Sequence, residues 1–150
     1  MKMTLSRALR YKKRVIETIR KLEQEITAYN SVAVEEAGKF DVKAAFEARL
    51  KTIEHLLALK LATIEATKPI QDTILRMAEE KSTAAFLARL NTTDGWVRPR
   101  YQGEADLTYV SAINREEKER LIKECQDKID AFQTEIDAFN ARTEIVVPDL

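Results

Sequence analysis

The sequence predicts a mainly α-helical protein: a long antiparallel helical bundle or coiled coil, with a small β-hairpin or loop excursion near residues 96–110. Three observations carry this reading. The chain of 150 residues holds only three Gly and three Pro, too few for a turn-rich sandwich or barrel. Apolar residues recur at helical spacing over four long stretches. A hydrophobic content of 45% with zero formal net charge argues against a disordered chain, and the length suits one domain able to bury a core. A single helical domain over residues 1–150 is expected, with helices at about 5–29, 41–67, 70–90 and 114–142.

The first helix is read from Leu5 to Tyr29. Val15, Ile19, Leu22, Ile26 and Tyr29 follow at spacings of 4, 3, 4 and 3, a heptad stripe widened by Ala8, Leu9 and Ile16. At 1.5 Å per residue it is about 37 Å long. Val32-Ala33-Val34 and an acidic turn ending at Gly38 follow, with room for a short strand. Asp41 is the expected N-cap of the second helix, since its carboxylate can accept from a free backbone N–H. Phe46, Leu50, Ile53, Leu57 and Ile64 form the stripe of that helix, broadened by Leu56, Leu59 and Leu61. So much apolar surface predicts two neighbours rather than one.

Pro69 ends or kinks the second helix, because proline lacks the N–H and clashes with the preceding turn. In the third helix, Ile70, Ile74, Met77, Phe86 and Leu90 are the large apolar residues, and Ser82-Thr83-Ala84-Ala85 is a small-residue run. Asn91 to Gly95 stops it. Trp96 to Val110 has strand character, with Gly103 suited to a turn and Pro99 to an edge. Ser111 or Asn114 is the expected cap of the last helix, and Asn114 with Glu117 three residues on approximates a capping box. There Ile122, Cys125, Ile129, Phe132, Ile136 and Phe139 give the cleanest heptad in the chain. The β-branched tail after Thr143 is extended and expected to pair with the 96–110 segment or with Val32–Val34.

Zero net charge conceals a polarity. Residues 1–30 carry eight Lys/Arg and three Asp/Glu, a net of +5. Residues 111–150 carry six and ten, a net of −4. The basic first helix and the acidic last helix are therefore expected packing partners, their charges selecting register more than adding stability. The alternative is a basic surface for nucleic acid or anionic lipid.

The possible binding loop comprises Trp96, Arg98, Arg100 and Tyr101. An extended chain places Trp96, Arg98 and Arg100 on one face. Two guanidiniums beside an indole suit a phosphate, a carboxylate or a planar ring; the competing reading pairs them with Glu104 and Asp106 across a hairpin. The possible basic patch is Arg10, Lys12, Lys13 and Arg14, which spread around the helix and carry no interleaved aromatics of the kind a single-strand binder uses. Cys125 lies on the heptad and is read as a buried small hydrophobe rather than a reactive thiolate. His55 is the only histidine and has no second His or Cys to share a metal with. No Glu-x-x-His motif, nucleophile elbow or Gly-rich phosphate loop occurs. No catalytic residue, cofactor site or metal site is expected.

Leu5-Ser6-Arg7-Ala8-Leu9 opening a basic helix that ends near Asn30, a Leu-rich helix pair, and a closing run of Gln126, Ile129-Asp130, Ile136-Asp137 and Asn140-Ala141-Arg142-Thr143-Glu144 together are similar to a family of small uncharacterised bacterial helical proteins. Some of these carry the label septicolysin. The resemblance spans most of the chain and departs from the family at Pro69 and in the Trp96–Tyr101 loop. It implies a helical fold and assigns no catalytic residue. The toxin-like label implies membrane activity, yet no apolar run approaches the roughly 18–20 residues of a membrane span.

Charges at Arg7, Arg10, Lys12, Lys13 and Arg14 interrupt any secretory apolar run, so a cytoplasmic location is expected. The expected role is a non-enzymatic structural or protein-interaction protein that self-associates as a dimer or higher homo-oligomer. The alternative is an anionic-ligand or nucleic-acid-binding module using the basic first helix and the Arg98/Arg100 loop.

Overall fold

Four long stretches of this chain carry apolar residues without an interior Gly or Pro, and three of them open on a capping side chain. A computed structural model describes residues 1–103 and 105–149. The order of elements is β1 (Lys2–Thr4), α1 (Leu5–Tyr29), α2 (Val42–Thr67), α3 (Gln71–Ala88), β2 (Gly95–Val97), β3 (Leu107–Tyr109), α4 (Arg115–Arg142) and β4 (Glu144–Val146), with 3-10 turns at Val34–Glu36 and Lys68–Ile70. The fold is mainly α with a small antiparallel hairpin. It divides into two compact units, Met1–Ile70 with Asp137–Leu150, and Gln71–Ile136.

In the first unit, α1 and α2 form an antiparallel pair. The Tyr11 hydroxyl lies 3.0 Å from His55 Nε2, and Arg49 Nε donates to Glu23 at 2.8 Å. Thr4 caps α1, its hydroxyl accepting from Arg7 N–H. Asp41 caps α2 and accepts from Ala44 N–H at 2.9 Å, as its carboxylate predicts. Between the helices, the Tyr29 and Phe40 rings stack with centroids 4.9 Å apart. Val32–Val34 forms no strand; the chain turns there through the 3-10 turn. Pro69 sits in the second such turn, which separates α2 from α3.

The tail pairs with neither expected partner. It runs antiparallel to β1, matching Lys2 with Val146, Met3 with Ile145 and Thr4 with Glu144. Leu5 N–H then donates to the Thr143 carbonyl at 2.7 Å. The reason is the core. Met3, Leu5, Ala8, Val15, Ile19, Leu56, Leu59, Ile145 and Val147 form one buried cluster, with Phe139 packed against it. The alternation of β1 and β4 points Met3 and Ile145 into that cluster, which neither alternative pairing would do.

In the second unit, α3 and the Arg115–Ile136 part of α4 run antiparallel. Thr73 donates to Glu135 at 3.1 Å, Lys128 to Glu80 at 3.2 Å, and Lys118 to the Ala88 and Leu90 carbonyls. Asn114 caps α4 by accepting from Glu117 N–H at 2.8 Å. Cys125, Ile129 and Ile136 of the heptad are buried, with Ile122 and Phe132 half-buried. On α3 the buried residues are Thr73 and Leu87, while Phe86 and most of the small-residue run face solvent.

Charge pairing is seen within each unit. Glu23 of basic α1 pairs with Arg49 of α2. In acidic α4, Arg115–Glu119, Arg120–Glu124 and Lys123–Asp127 pair along the helix itself, while Lys128 reaches Glu80 of α3. A helix that alternates sign at i,i+4 answers its own charges, a pattern that segment totals average away.

Candidate functional site

α2 carries apolar residues on two sides, and only one of those sides is in the core. Its buried residues are Ala45, Thr52, His55, Leu56, Leu59 and Thr63. Of the sequence stripe Phe46, Leu50, Ile53, Leu57 and Ile64, only Ile53 packs against the core; the other four are turned away from α1. Phe46, Leu50, Leu57, Leu61 and Ile64 are 49%, 46%, 46%, 67% and 61% exposed. This corrects the stripe at Phe46, Leu50, Leu57 and Ile64, while Ile53, Leu56 and Leu59 lie on the core side. At 100° per residue the exposed stripe lies about 140° round the helix from the buried one and runs for about 27 Å. One exposed leucine is ordinary; five large apolar side chains in a row on one helix are not.

The buried side is close-packed because its polar members are satisfied locally. Thr52 and Thr63 hydroxyls donate to the Ala48 and Leu59 carbonyls at 2.8 and 2.7 Å. His55 meets Tyr11 edge-on, with ring centroids 5.6 Å apart. The flanks of the exposed stripe differ in sign. Helical geometry puts Glu47, Glu54 and Glu65 along one side and Arg49 and Lys60 along the other.

The hairpin holds the candidate loop. Gly95 pairs with Tyr109, Trp96 with Thr108 and Val97 with Leu107, so Val97, Leu107 and Tyr109 share a face opposite Trp96. Arg98 and Arg100 do not stay with Trp96. Strand alternation stops at Val97, where the ladder ends, and the two arginines join Val97, Leu107 and Tyr109 in lining a cleft of about 190 Å³. Trp96 and Tyr101 lie outside it, 58% and 72% exposed. Glu104, one expected partner, lies outside the described residues.

Asp94 closes the base of the hairpin. Its carboxylate accepts from Ser111 N–H and from Ser111 Oγ, both at 2.7 Å. The Ser111 hydroxyl, then its N–H, hold the Asp94 carboxyl below its ordinary value. A depressed carboxyl pKa favours the folded hairpin above the unfolded-state value, and that contribution disappears as pH falls through the depressed one. Emission from Trp96, the single tryptophan, is therefore expected to change in acid below pH ~4. Asp94→Asn should remove that acid transition; an identical titration in the variant would assign it elsewhere.

The basic patch of α1 is not one surface. Arg10, Lys13 and Arg14 are exposed on the side away from the core, and Lys12 is half-buried. Arg14 lies over the Tyr11 ring, 5.7 Å from its centroid, an ordinary cation–π contact. Burial raises the Cys125 thiol above its usual range, reinforced by the Glu80 carboxylate beside it, the opposite of activation. Among the described residues no group of three His, Cys, Asp or Glu is placed to hold a metal ion. No helix among them is long and apolar enough to cross a membrane.

Sequence reasoning missed the Tyr11–His55 contact and the β1 partner of the tail. One Tyr on one helix and the one His on another carry no spacing signal, and Lys2-Met3-Thr4 does not read as a strand. Comparison with protein families, curated proteins and solved structures returns no match for this chain.

Proposed function

We propose that this protein is a non-enzymatic structural or interaction protein that self-associates through the outward face of α2. The observation that supports the reading is the exposed stripe Phe46, Leu50, Leu57, Leu61 and Ile64. Burying each half-exposed side chain contributes about 1 kcal/mol, and a two-fold interface counts each one twice. That total is comparable with the freedom lost on association, so self-association should strengthen with concentration rather than be permanent. Light scattering over a concentration series tests it. A mass rising above the 17.2 kDa of one chain supports the proposal, and 17.2 kDa at every concentration would sink it. Leu57→Glu, which places a charge in the seam, should hold the chain at the lower mass.

The cleft beside Arg98 and Arg100 favours a second reading, an anion-binding module. Two guanidiniums next to a Tyr and aliphatic wall suit a phosphate or carboxylate attached to a flat or apolar body. The same scattering series with a short single-stranded oligonucleotide present separates the two readings. Complexes that dissociate steeply with added salt would mark nucleic-acid binding, and no complex at low salt removes it.

A further inference from the structure

We infer that two copies of this chain pair through α2 in parallel, with the acidic flank of each stripe against the basic flank of the other. The inference rests on the self-association reading and adds an orientation to it. Seen down the axis of α2, Phe46, Leu50, Leu57, Leu61 and Ile64 form the ridge. Glu47, Glu54 and Glu65 lie on one shoulder, all exposed, with exposed Lys51 further round on the same side. Arg49 and Lys60 lie on the other. Lys43 and Lys68 stand near the ridge line at its two ends, both exposed.

Two helices related by a two-fold axis can lie side by side in only two senses, and the shoulders meet differently in each. In the antiparallel sense each shoulder faces its own copy, which sets Glu47, Glu54 and Glu65 against the same three carboxylates. In the parallel sense each shoulder faces the opposite shoulder, about five residues further along the partner. Arg49 then faces Glu54 of the second copy, and Lys60 faces Glu65, each contact occurring twice by symmetry. Arg49 already serves Glu23, with Nη2 at 2.7 Å, but a guanidinium has five N–H donors and can take a second carboxylate. Glu65, paired with Lys68, has a second oxygen to offer. Such pairs are individually weak at a surface. The apolar ridge has no direction of its own, so the difference between attraction and repulsion along the shoulders decides the sense.

Disulfide trapping reads the orientation directly. Lys43→Cys and Lys68→Cys are made singly in the full chain, with the unaltered protein as control, since its one thiol, Cys125, is buried. Under mild oxidation in the concentration range where the mass exceeds one chain, each single variant should form a covalent dimer. Covalent dimer only when the two variants are mixed would show antiparallel pairing, which overturns the orientation and leaves self-association standing. Failure of both variants to link, singly or mixed, while the mass remains that of a dimer also overturns it. A mass of one chain throughout removes the self-association reading and the orientation together. As an independent readout, Lys60→Glu should weaken the dimer roughly tenfold, and adding Glu65→Lys should restore it. Weakening in the double variant beyond that of the single one would contradict the Lys60–Glu65 pairing.

Discussion

Leu59→Ala is expected to lower the free energy of unfolding by about 2–5 kcal/mol, read as a fall in the denaturation midpoint. Leu59 is 0% exposed within the cluster that joins α1, α2, β1 and β4. Removing its branched end leaves a cavity that Leu5, Leu56 and Val147 can fill only in part. Two residues earlier, Leu57 is 46% exposed, and Leu57→Ala should cost no more than about 0.5 kcal/mol at concentrations where the chain is monomeric. The pair makes a sharp comparison because both are leucines on one helix with equal propensity. Equal costs, or a larger cost at Leu57, would mean that the other side of α2 faces the core.

That comparison marks where the sequence is readable and where it is not. Helix ends are legible because caps are local: Asp41 and Asn114 each need only a free N–H three residues ahead. The hairpin is legible for the same reason, from Trp96 and the strand formers Thr108, Tyr109 and Val110. The inward side of α2 is legible only in part, through Ile53, Leu56 and Leu59. A periodicity argument weighs size and apolarity, and beside Leu56 and Leu59 the buried side carries Ala45, Thr52, His55 and Thr63. Their low apolarity is harmless only because the threonines bond to their own helix and His55 finds Tyr11 across the interface. Phe46, Leu50, Leu57 and Ile64 outweigh them in any sum, so the eye is drawn to the side that faces solvent. The exposure of those same residues is what supports the proposed self-association. The arginines of the candidate loop fail for a different reason. Assigning Arg98 and Arg100 to the face of Trp96 assumes that strand geometry persists, whereas the ladder stops one residue after Trp96.

A chain shortened to end at Arg142 is expected to lose most of its stability, because the tail holds core residues that no helix supplies. Ile145 and Val147 are 5% and 0% exposed in the central cluster. At about 1.5–3 kcal/mol for each side chain returned to water, their removal costs roughly 3–6 kcal/mol before any ladder bond is counted. A domain of this size has only about 5–15 kcal/mol in all. The loss also frees the Leu5 N–H, which donates to Thr143 at the start of α1, and strips β1 of its only partner strand among the described residues. Met3, buried with Ile145 across that ladder, would then face solvent. A chain ending at Val147 is the control. It keeps both core side chains and the whole β1–β4 ladder, and gives up the pair between the Met1 amine and Asp149, whose carboxylate side chain is 81% exposed. That pair should be worth at most about 1 kcal/mol. Urea unfolding of the two shortened chains separates the effects: the longer one should unfold near the full chain, the shorter one far below it or without a cooperative transition. A shorter chain that unfolds as late as the full one would mean that α1 and α2 close their core without a strand lid, and that Val147 is buried without contributing to the fold.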